Sequence, residues 1–162
     1  MTQHIARFLS PIGRIEVVSN GAAITSLAIE CDGRLPHDDA PERSDAVLDQ
    51  AVQQLAEYFD GARLTFDLSV QLAGTPFQEA VWAELQRIPH GAALTYGELA
   101  ATVGRPGAAR AIGGAVGANP VPLIVGCHRV LGGNGRITGY SGGDGIPTKQ
   151  WLLRHEHIDF RA

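Results

Sequence analysis

Glycine is distributed unevenly along the 162 residues of this chain, and that distribution limits what its second half can fold into. Fifteen of the twenty glycines lie after position 90. Glycine adopts backbone conformations that other residues rarely reach, but inside a helix each one costs about 1 kcal/mol relative to alanine. The second half is therefore expected to contain short helices joined by tight turns rather than long regular elements.

The first half carries the patterns of a small strand–strand–helix–strand unit. Three segments have strand-like apolar patterns, at 12–19, 22–29 and 64–70. The first two flank Asn20-Gly21, a dipeptide that is typical of a tight hairpin turn. Between the second and third segments, Ser44 can cap an amphipathic helix that Gly61 would end. These patterns predict a small N-terminal α/β domain over residues 1–71, which the family resemblance described below implies to be structural.

The C-terminal domain, residues 72–162, is predicted to be mainly helical, which makes the whole chain α+β. Thr95 can cap a short helix over 96–103, and a second short helix is expected over 108–117. Two short helices joined by a Gly/Pro turn are typical of a helix-turn-helix. Residues 136–140 are expected to form a small hairpin, or wing, so that the motif becomes a winged helix-turn-helix.

The net charge of −4 hides a division between the two halves. Residues 1–84 carry five basic and thirteen acidic side chains, whereas residues 85–162 carry eight basic and four acidic ones. Between Leu85 and Tyr140 the only acidic residue is Glu98. Local positive charge favours a polyanionic partner. The same division is explained equally well if the acidic side chains only form a solvated face of the N-terminal half and the two halves do not differ in function.

The run at 126–130 places a thiol, an imidazole and a guanidinium in succession, at Cys127, His128 and Arg129. A thiol beside groups that can be positive is expected to have a depressed pKa and to react as a thiolate. A buried, inert cysteine is the alternative. In a strand His128 would point away from the thiol, so the backbone must turn there or a water must bridge the two. Glu156 is either a solvated charge or the group that orients an imidazole.

The predicted helix at 108–117 is unusual because it holds three glycines and only one long cation, Arg110. A helix that enters the major groove of DNA would carry Asn, Gln, Lys or several Arg to reach base edges. A surface of small residues instead permits close approach, either to a narrow groove or to another helix. The sequence alone does not separate these two interpretations.

Several other classes of protein are disfavoured. Cys31 and His37 lie in an acidic loop without a second thiol, so no zinc set is identified, and no nucleotide P-loop or dinucleotide fingerprint is present. The two cysteines do not suggest a disulfide framework, and neither a signal-peptide core nor a membrane span is apparent. We therefore expect a cytoplasmic protein without membrane association.

The C-terminal half resembles the O6-alkylguanine-DNA alkyltransferases, also called methylated-DNA–protein-cysteine methyltransferases. Six motifs carry the resemblance in order: Thr95-Tyr96, Ala-Ala-Arg-Ala at 108–111, Asn-Pro-Val-Pro at 119–122, Cys-His-Arg-Val at 127–130, Tyr-Ser-Gly-Gly at 140–143 and Trp-Leu-Leu-Arg-His-Glu at 151–156. The N-terminal half fits this family's ribonuclease-H-like α/β domain more loosely.

The resemblance implies that the partner is double-stranded DNA containing O6-alkylguanine, bound through its minor groove. Arg110 would fill the gap left by a flipped nucleotide, and Tyr96 would push on the phosphate 3′ to the lesion. The implied DNA-binding residues are Thr95, Ala108, Ala109, Arg110, Ala111, Gly113, Gly114 and Arg129. The implied base pocket is formed by Asn119, Pro122, Tyr140 and Ser141.

The resemblance also implies the chemistry, with O4 of thymine as a further candidate position. Glu156 would orient His128, which would take the Cys127 proton through a water, and the thiolate would attack the alkyl carbon. Tyr96 would supply a proton as guanine leaves, and Asn119 belongs to the same catalytic set. The thioether product is not hydrolysed, so each molecule acts once, without a cofactor or a metal. The implied protein is a monomer without an obligate protein partner, and cooperative DNA binding is left open.

Two positions depart from the family pattern. Gly126 stands where members usually have proline, which loosens the backbone before the thiol. We therefore predict slower alkyl transfer than in a Gly126→Pro variant. Gly117 stands where members often carry arginine, so one phosphate contact is expected to be missing and binding to undamaged DNA to be weak and salt-sensitive.

Three alternative functions remain. An alkyltransferase-like protein binds the lesion without repair, but such relatives lack the cysteine. A winged-helix regulator would explain the helix-turn-helix but not a thiol with a His/Glu partner. A cysteine hydrolase would need a distant histidine and an oxyanion hole, and would turn over many times.

Overall fold

A computed structural model describes residues 3–162, so the first two residues of the predicted N-terminal domain (1–71) lie outside the described residues. Within the described part, the fold is mixed α/β, with two small sheets and five α-helices. The chain divides into two compact units. One contains residues up to 71 together with 142–144, and the other contains residues 72–141 and 145–162.

The N-terminal unit is built on a three-stranded antiparallel sheet in the order β1-β2-β3. Its strands are β1 (His4–Ser10), β2 (Gly13–Ser19) and β3 (Ile24–Ile29). The predicted hairpin is confirmed, since the side chain of Asn20 accepts hydrogen bonds from the N–H groups of the turn between β2 and β3. Strand β1 was not predicted, because its apolar residues are mixed with His4 and Arg7.

The predicted strand at 64–70 is wrong. Only Val70 pairs with the sheet, through a single parallel bridge to Ile24. Leu64 is 56% exposed, and Phe66 packs on the Tyr58 ring with centroids 5.4 Å apart. The alternating apolar residues therefore reflect separate contacts of an irregular segment, which a period-two pattern cannot distinguish from a strand.

Helix α1 (Ala46–Phe59) packs on this sheet with Leu48, Ala51, Leu55 and Tyr58 buried. Its cap is Asp45 rather than the predicted Ser44, because the Asp45 carboxylate accepts the Leu48 N–H at 2.8 Å. Acidic side chains are good N-caps, since they satisfy a free N–H and lie at the positive end of the helix dipole.

The C-terminal unit contains the remaining four α-helices and a two-stranded parallel sheet of β4 and β5. Its regular elements are α2 (Pro76–Leu85), β4 (Leu94–Thr95), α3 (Tyr96–Thr102), α4 (Ala109–Gly117), β5 (Val130–Leu131) and α5 (Ile146–His155). Capping boxes at Thr75 and Thr95 begin α2 and α3. The short helix pair predicted from the Gly/Pro turn is present as α3 and α4.

Helix α4 is fixed against α2 by one buried hydrogen bond. The indole Nε1 of Trp82 donates to the Ala115 carbonyl at 2.8 Å. Ile112, Ala115 and Val116 form the buried face of α4. The opposite face of the helix is left exposed.

The predicted wing hairpin at 136–140 is not formed. Instead, Ile137 donates its N–H to the Arg161 carbonyl at 2.9 Å, so this segment pairs with the C-terminal end of the chain. The local pattern at 136–140 did not indicate this pairing, because Arg161 lies far along the chain from Ile137. No helix among residues 3–162 is long and apolar enough to cross a membrane.

Candidate functional site

A turn braced by one side chain precedes the thiol. The Asn119 carboxamide accepts the Val121 N–H at 3.0 Å and donates to the Val125 carbonyl at 2.8 Å, and Val125 donates back to Val121 at 2.9 Å. Leu123, at the tip, is buried and has a φ of +74°, which is uncommon for a branched side chain. Asn119 therefore holds both ends of a strained turn whose last residues lead into Cys127.

The chain turns at the thiol, as the sequence required if an imidazole was to lie near it. Residues Cys127–Arg129 form one turn of 3₁₀ helix rather than a strand. Cys127 is 3% exposed, and its burial raises the thiol pKa, against smaller lowering contributions from hydrogen bonds of Asn119 and Tyr140 and from the charge of Lys149. The expected depression of this pKa is therefore wrong: the resting group is a thiol, because desolvation outweighs the positive neighbours.

The neighbouring imidazole is fully buried and tied to a carboxylate. His128 Nε2 lies 2.6 Å from Glu156 Oε2. A carboxylate only accepts hydrogen bonds, so Nε2 carries the proton and Nδ1 carries a lone pair. Nδ1 is buried, and it forms no hydrogen bond with residues 3–162.

Burial keeps the imidazole of this cluster neutral. Burial lowers the pKa of His128, although its hydrogen bond to Glu156 acts in the opposite direction. Burial alone would raise the pKa of Glu156, but the hydrogen bonds and charges of His128 and Arg129 outweigh it and hold that pKa well below its usual range. At neutral pH the cluster is therefore a neutral imidazole beside an ionised carboxylate, which is the protonation state that a general base needs.

Arg129 was predicted to contact DNA, and the structure places it elsewhere. Its Nε donates to Glu156 Oε1 at 2.7 Å and its Nη1 donates to the Ile88 carbonyl at 2.6 Å, with the side chain buried. Because the side chain is buried and two of its N–H groups are held by internal acceptors, we do not expect it to contact a phosphate. The sequence showed a cation next to the thiol but not the buried carboxylate that holds it.

A cavity of about 860 Å³ opens beside the thiol. It brings together seven of the predicted site residues, which lie far apart in sequence. Its lining includes Tyr96, Ala109, Arg110, Gly113, Cys127, Tyr140, Ser141 and Lys149. Among residues 3–162 no group of three or more His, Cys, Asp and Glu side chains could hold a metal ion.

Several predicted site residues do not line this cavity, among them Thr95, Pro122 and Asn119. The Thr95 hydroxyl accepts the Glu98 N–H as part of a capping box, so it begins α3. Pro122 lies in the braced turn and bridges to Val125. Asn119 acts on the same turn and on the thiol rather than on the cavity wall.

The glycines of α4 are not required by packing inside the chain. A Cβ added at Gly114 would meet no atom within 4 Å, and one at Gly113 would meet only the Tyr96 ring at 3.9 Å. Ala109, Arg110 and Ala111 are exposed on the same helix, and Ala108 at its N-cap is partly exposed. The helix–helix interpretation is therefore disfavoured for Gly114, and the small-residue surface is free to meet an external partner.

Lys149 is a cavity residue that sequence analysis missed. It is 1% exposed, and its Nζ donates to the carbonyls of Val130 at 2.6 Å and Gly139 at 3.1 Å. Burial lowers its pKa to about 8, although the charge of Cys127 raises it. A signal was present, since Lys149 lies three and four residues before the buried Leu152 and Leu153, on the apolar stripe of α5.

Two family models match the chain. One, described as 6-O-methylguanine DNA methyltransferase, DNA binding domain, matches residues 76–158. The other, described as 6-O-methylguanine DNA methyltransferase, ribonuclease-like domain, matches residues 6–72. Together the two models cover nearly the whole chain.

Two similar sequences carry the same name. The methylated-DNA–protein-cysteine methyltransferase of Salmonella typhimurium is 55% identical over 104 residues, a match that spans 64% of this chain and only 60% of that protein. The protein of the same name from Mycobacterium bovis is 42% identical over 158 residues, covering 94% of this chain and 92% of that one.

Solved structures agree with the sequence comparison. The crystal structure of Mycobacterium tuberculosis O6-methylguanine methyltransferase has a TM-score of 0.85 at 41% identity, over 96% of this chain and 93% of that one. That of Mycobacterium tuberculosis OGT in complex with DNA has a TM-score of 0.84 at 42% identity, over 94% and 92%. The two matched regions and these relatives show that the chain belongs to the 6-O-methylguanine DNA methyltransferase family.

Proposed function

We propose that this protein repairs DNA by direct reversal, moving an alkyl group irreversibly from O6 of guanine to Cys127. One observation carries the proposal: a buried thiol opens onto a cavity and sits beside a neutral imidazole whose other nitrogen is fixed by a carboxylate. The names of the relatives point to the same reaction, methyl transfer from DNA to a protein cysteine. O4 of thymine is a further candidate position.

The proton has a defined path in this proposal. Cys127 gives up its proton, through a bridging water, to the lone pair on His128 Nδ1, and Glu156 stabilises the imidazolium that forms. Because the resting group is a thiol, the thiolate forms only as the proton moves to the imidazole. The sulfur then attacks the alkyl carbon in line, an S–C bond forms, and the C–O bond to guanine breaks.

The leaving guanine takes up the electron pair and a proton. The electron pair of the broken C–O bond stays on guanine, which takes a proton from the Tyr96 phenol at the mouth of the cavity. The product on the protein is a thioether, and this site offers no group to hydrolyse it. Each molecule therefore acts once, and no cofactor or metal takes part.

The partner in this proposal is double-stranded DNA bound by α3 and α4 through its minor groove. Gly113 and Gly114 leave room for close approach of the sugar–phosphate walls, as do the alanines at 108, 109 and 111. Arg110, exposed at the edge of the cavity, occupies the gap of a nucleotide turned out into it. Base flipping costs a few kcal/mol and is cheapest for a badly paired base, which favours lesions.

The remaining features of the proposal concern the whole chain. The N-terminal unit is a structural, ribonuclease-H-like domain over residues 1–71, and residues 72–162 form the DNA-binding and alkyltransferase domain with a helix-turn-helix. Pro122, Tyr140 and Ser141 shape the base pocket. The protein acts as a monomer in the cytoplasm, without an obligate protein partner.

Intact mass after incubation with an excess of duplex containing O6-methylguanine tests the proposal. Repair predicts a gain of one methylene per molecule, with no further gain at longer times, and no gain in a Cys127→Ser control. Lesion binding without a change in mass would instead identify a non-repairing binder. Absence of lesion preference would point to a regulator, and more than one lesion consumed per molecule would point to a hydrolase.

A further inference from the structure

Two arginines lie side by side on a small parallel bridge of the C-terminal unit, and the proposed repair reaction uses neither of them. Arg136 pairs with Arg161 across this bridge. Ile137 donates its N–H to the Arg161 carbonyl at 2.9 Å, and Arg161 donates its own N–H to the Gly135 carbonyl at 2.8 Å. Residues paired across a bridge project to the same side, so the two guanidinium groups share one surface.

That surface faces the solvent. Ile137 belongs to a buried apolar cluster, and Phe160 packs against the same cluster. Side chains alternate between the two sides of an extended segment, and Arg136 has an extended backbone with φ −82° and ψ 137°. Arg136 and Arg161 therefore point away from the cluster, and both are exposed.

The segment that carries Arg136 also forms part of the cavity rim. Thr138, two positions further along, lines the cavity, as do Gly132, Gly133 and Gly139. Because side chains alternate along an extended segment, Arg136 and Thr138 project to the same side. Residues 132–139 thus form a rim of their own, separate from the rim that α3 and α4 supply, and the arginine pair lies beside it.

The backbone around Arg136 is held in place. Gly132 donates its N–H to the Arg136 carbonyl at 2.7 Å, which closes the tight turn over Gly133–Gly135. A Cβ at Gly132 would lie 2.8 Å from Cγ2 of Thr138 and 3.1 Å from the Arg136 carbonyl oxygen, so the chain passes too closely for any larger residue. Arg136 is therefore presented from a closed turn and a bridge rather than from a free loop.

The charges of the arginine pair are not neutralised within the described chain. Over residues 3–162, neither guanidinium forms an ion pair or a hydrogen bond, not even with Asp159, the acidic residue nearest to Arg161 in sequence. Like charges side by side on paired segments repel each other, and neutral polar side chains would occupy these exposed positions without that cost. An anion bound by both guanidinium groups would remove the repulsion.

We propose that Arg136 and Arg161 form a second phosphate-binding site, which holds the DNA backbone beside the rim formed by residues 132–139. The planar fork of a guanidinium matches two phosphate oxygens. Helix α4 offers a single arginine, Arg110, which the proposed function places in the base stack, and Gly117 has no side chain to reach a phosphate. The arginine pair supplies the backbone contacts that α4 lacks. This site rests on the proposed repair function.

The salt dependence of DNA binding tests the site. Binding of a labelled duplex is followed by fluorescence anisotropy between about 50 and 200 mM salt, where the loss of phosphate contacts is readily measured. Each phosphate contact contributes about 0.9 to the slope of log K against log salt concentration. Arg136→Gln and Arg161→Gln should therefore each make the slope shallower by about 0.9, and the double variant by about 1.8. Each single variant should bind about eightfold more weakly at about 0.1 M salt.

Two variants and a second duplex provide the controls. Arg87→Gln removes an exposed arginine of the same unit that does not line the cavity, and it should leave the slope unchanged. Arg136→Lys keeps the positive charge and should keep the slope. Because phosphate contacts carry no sequence information, the loss of affinity should be equal for undamaged duplex and for duplex containing O6-methylguanine.

Three binding results would overturn the proposal. The first is a folded double variant with an unchanged slope. The second is an equal reduction of the slope by Arg87→Gln, which would show that only the net charge of the protein matters. The third is a loss of affinity confined to the lesion duplex, which would mean that the arginine pair contacts the altered base rather than the DNA backbone.

Alkyl transfer distinguishes a failure of this site from a failure of the repair function. At low protein concentration, single-turnover transfer by the double variant should slow in proportion to its loss of affinity. At saturating protein its rate should match that of the unsubstituted protein, because the contact is the same before and during the reaction; a slower rate there would overturn the proposal. If the slopes change as expected but the unsubstituted protein transfers no alkyl group, the repair function fails and the phosphate-binding site stands.

Discussion

Replacing Gly126 with proline is predicted to stabilise the protein and to speed alkyl transfer. The backbone already suits proline, because Gly126 has a φ of −75° and proline fixes φ near −65°. Among residues 3–162 no acceptor takes the Gly126 N–H, so no hydrogen bond is lost. The preceding Val125 lies outside any helix and forms a β-bridge to Pro122, which agrees with the non-helical backbone that proline favours before it.

One contact opposes the substitution. A Cβ at Gly126 would lie 3.1 Å from Cδ of Arg129 and 3.3 Å from its Nε. The stem of Arg129 must therefore move by a few tenths of an ångström while its guanidinium stays on Glu156 and Ile88. Because Cδ belongs to a flexible chain, we expect this shift to cost less than the unfolded-state entropy that proline removes, about 0.4–1 kcal/mol.

The expected gain in the free energy of unfolding is thus at most about 1 kcal/mol, or a rise of about 2–4 °C in Tm for a chain of this size. If all of it also favours the geometry of attack, alkyl transfer accelerates by about fivefold at most. Gly126→Ala is the matched control, since it adds the same Cβ but leaves the N–H and a freer φ. Single-turnover transfer from an O6-methylguanine duplex and thermal unfolding measure the two effects.

Two results would refute this reasoning. Equal or faster transfer by the unsubstituted protein would remove the idea that a loose backbone slows the thiol. A Gly126→Ala protein that melts below the unsubstituted protein would show that Arg129 cannot move without losing its hydrogen bonds to Glu156 or Ile88, and a Gly126→Pro protein that melts below Gly126→Ala would show that the backbone at this position does not suit proline.

Three further predictions concern His128, α4 and Arg110. Because burial lowers the pKa of His128, its imidazole is protonated in the unfolded chain at a higher pH than in the folded protein. The free energy of unfolding should therefore decline below about pH 6.5. Urea titrations of His128→Asn should show a weaker decline. Gly114→Ala should raise the free energy of unfolding by about 1 kcal/mol, yet weaken binding to lesion duplex in fluorescence anisotropy; unchanged affinity would argue against close approach of α4 to the groove. Arg110→Ala should slow alkyl transfer from duplex DNA by about tenfold or more, since base flipping costs a few kcal/mol. The reactivity of Cys127 toward iodoacetamide should stay the same. Equal transfer rates on duplex DNA would exclude an inserted arginine.

Local sequence patterns predicted the elements whose cause is itself local. The Asn20-Gly21 turn fixes the hairpin between β2 and β3 by its own backbone preference. The cap at Thr95 satisfies N–H groups within one turn of it, so the start of α3 could be identified directly. Strand β1, by contrast, exists only because β2 pairs with it along its whole length.

The parts of the site that could not be predicted depend on partners distant in sequence. Arg129 was placed on the DNA-binding surface because Glu156, 27 residues away, gives no sign of its location inside the fold. The pKa of Cys127 was predicted in the wrong direction because adjacent cations are visible in a sequence and desolvation is not. Lys149 was missed for the same reason, since its burial follows from the packing of α5.

The most direct test of the account is to locate the transferred group. The protein is incubated with duplex carrying an isotopically labelled O6-methyl group, digested, and its two cysteine-containing peptides are analysed by mass spectrometry. The account predicts one labelled methyl group per molecule, on Cys127, and none on Cys31. Label on Cys31, or transfer that persists in Cys127→Ser, would contradict it.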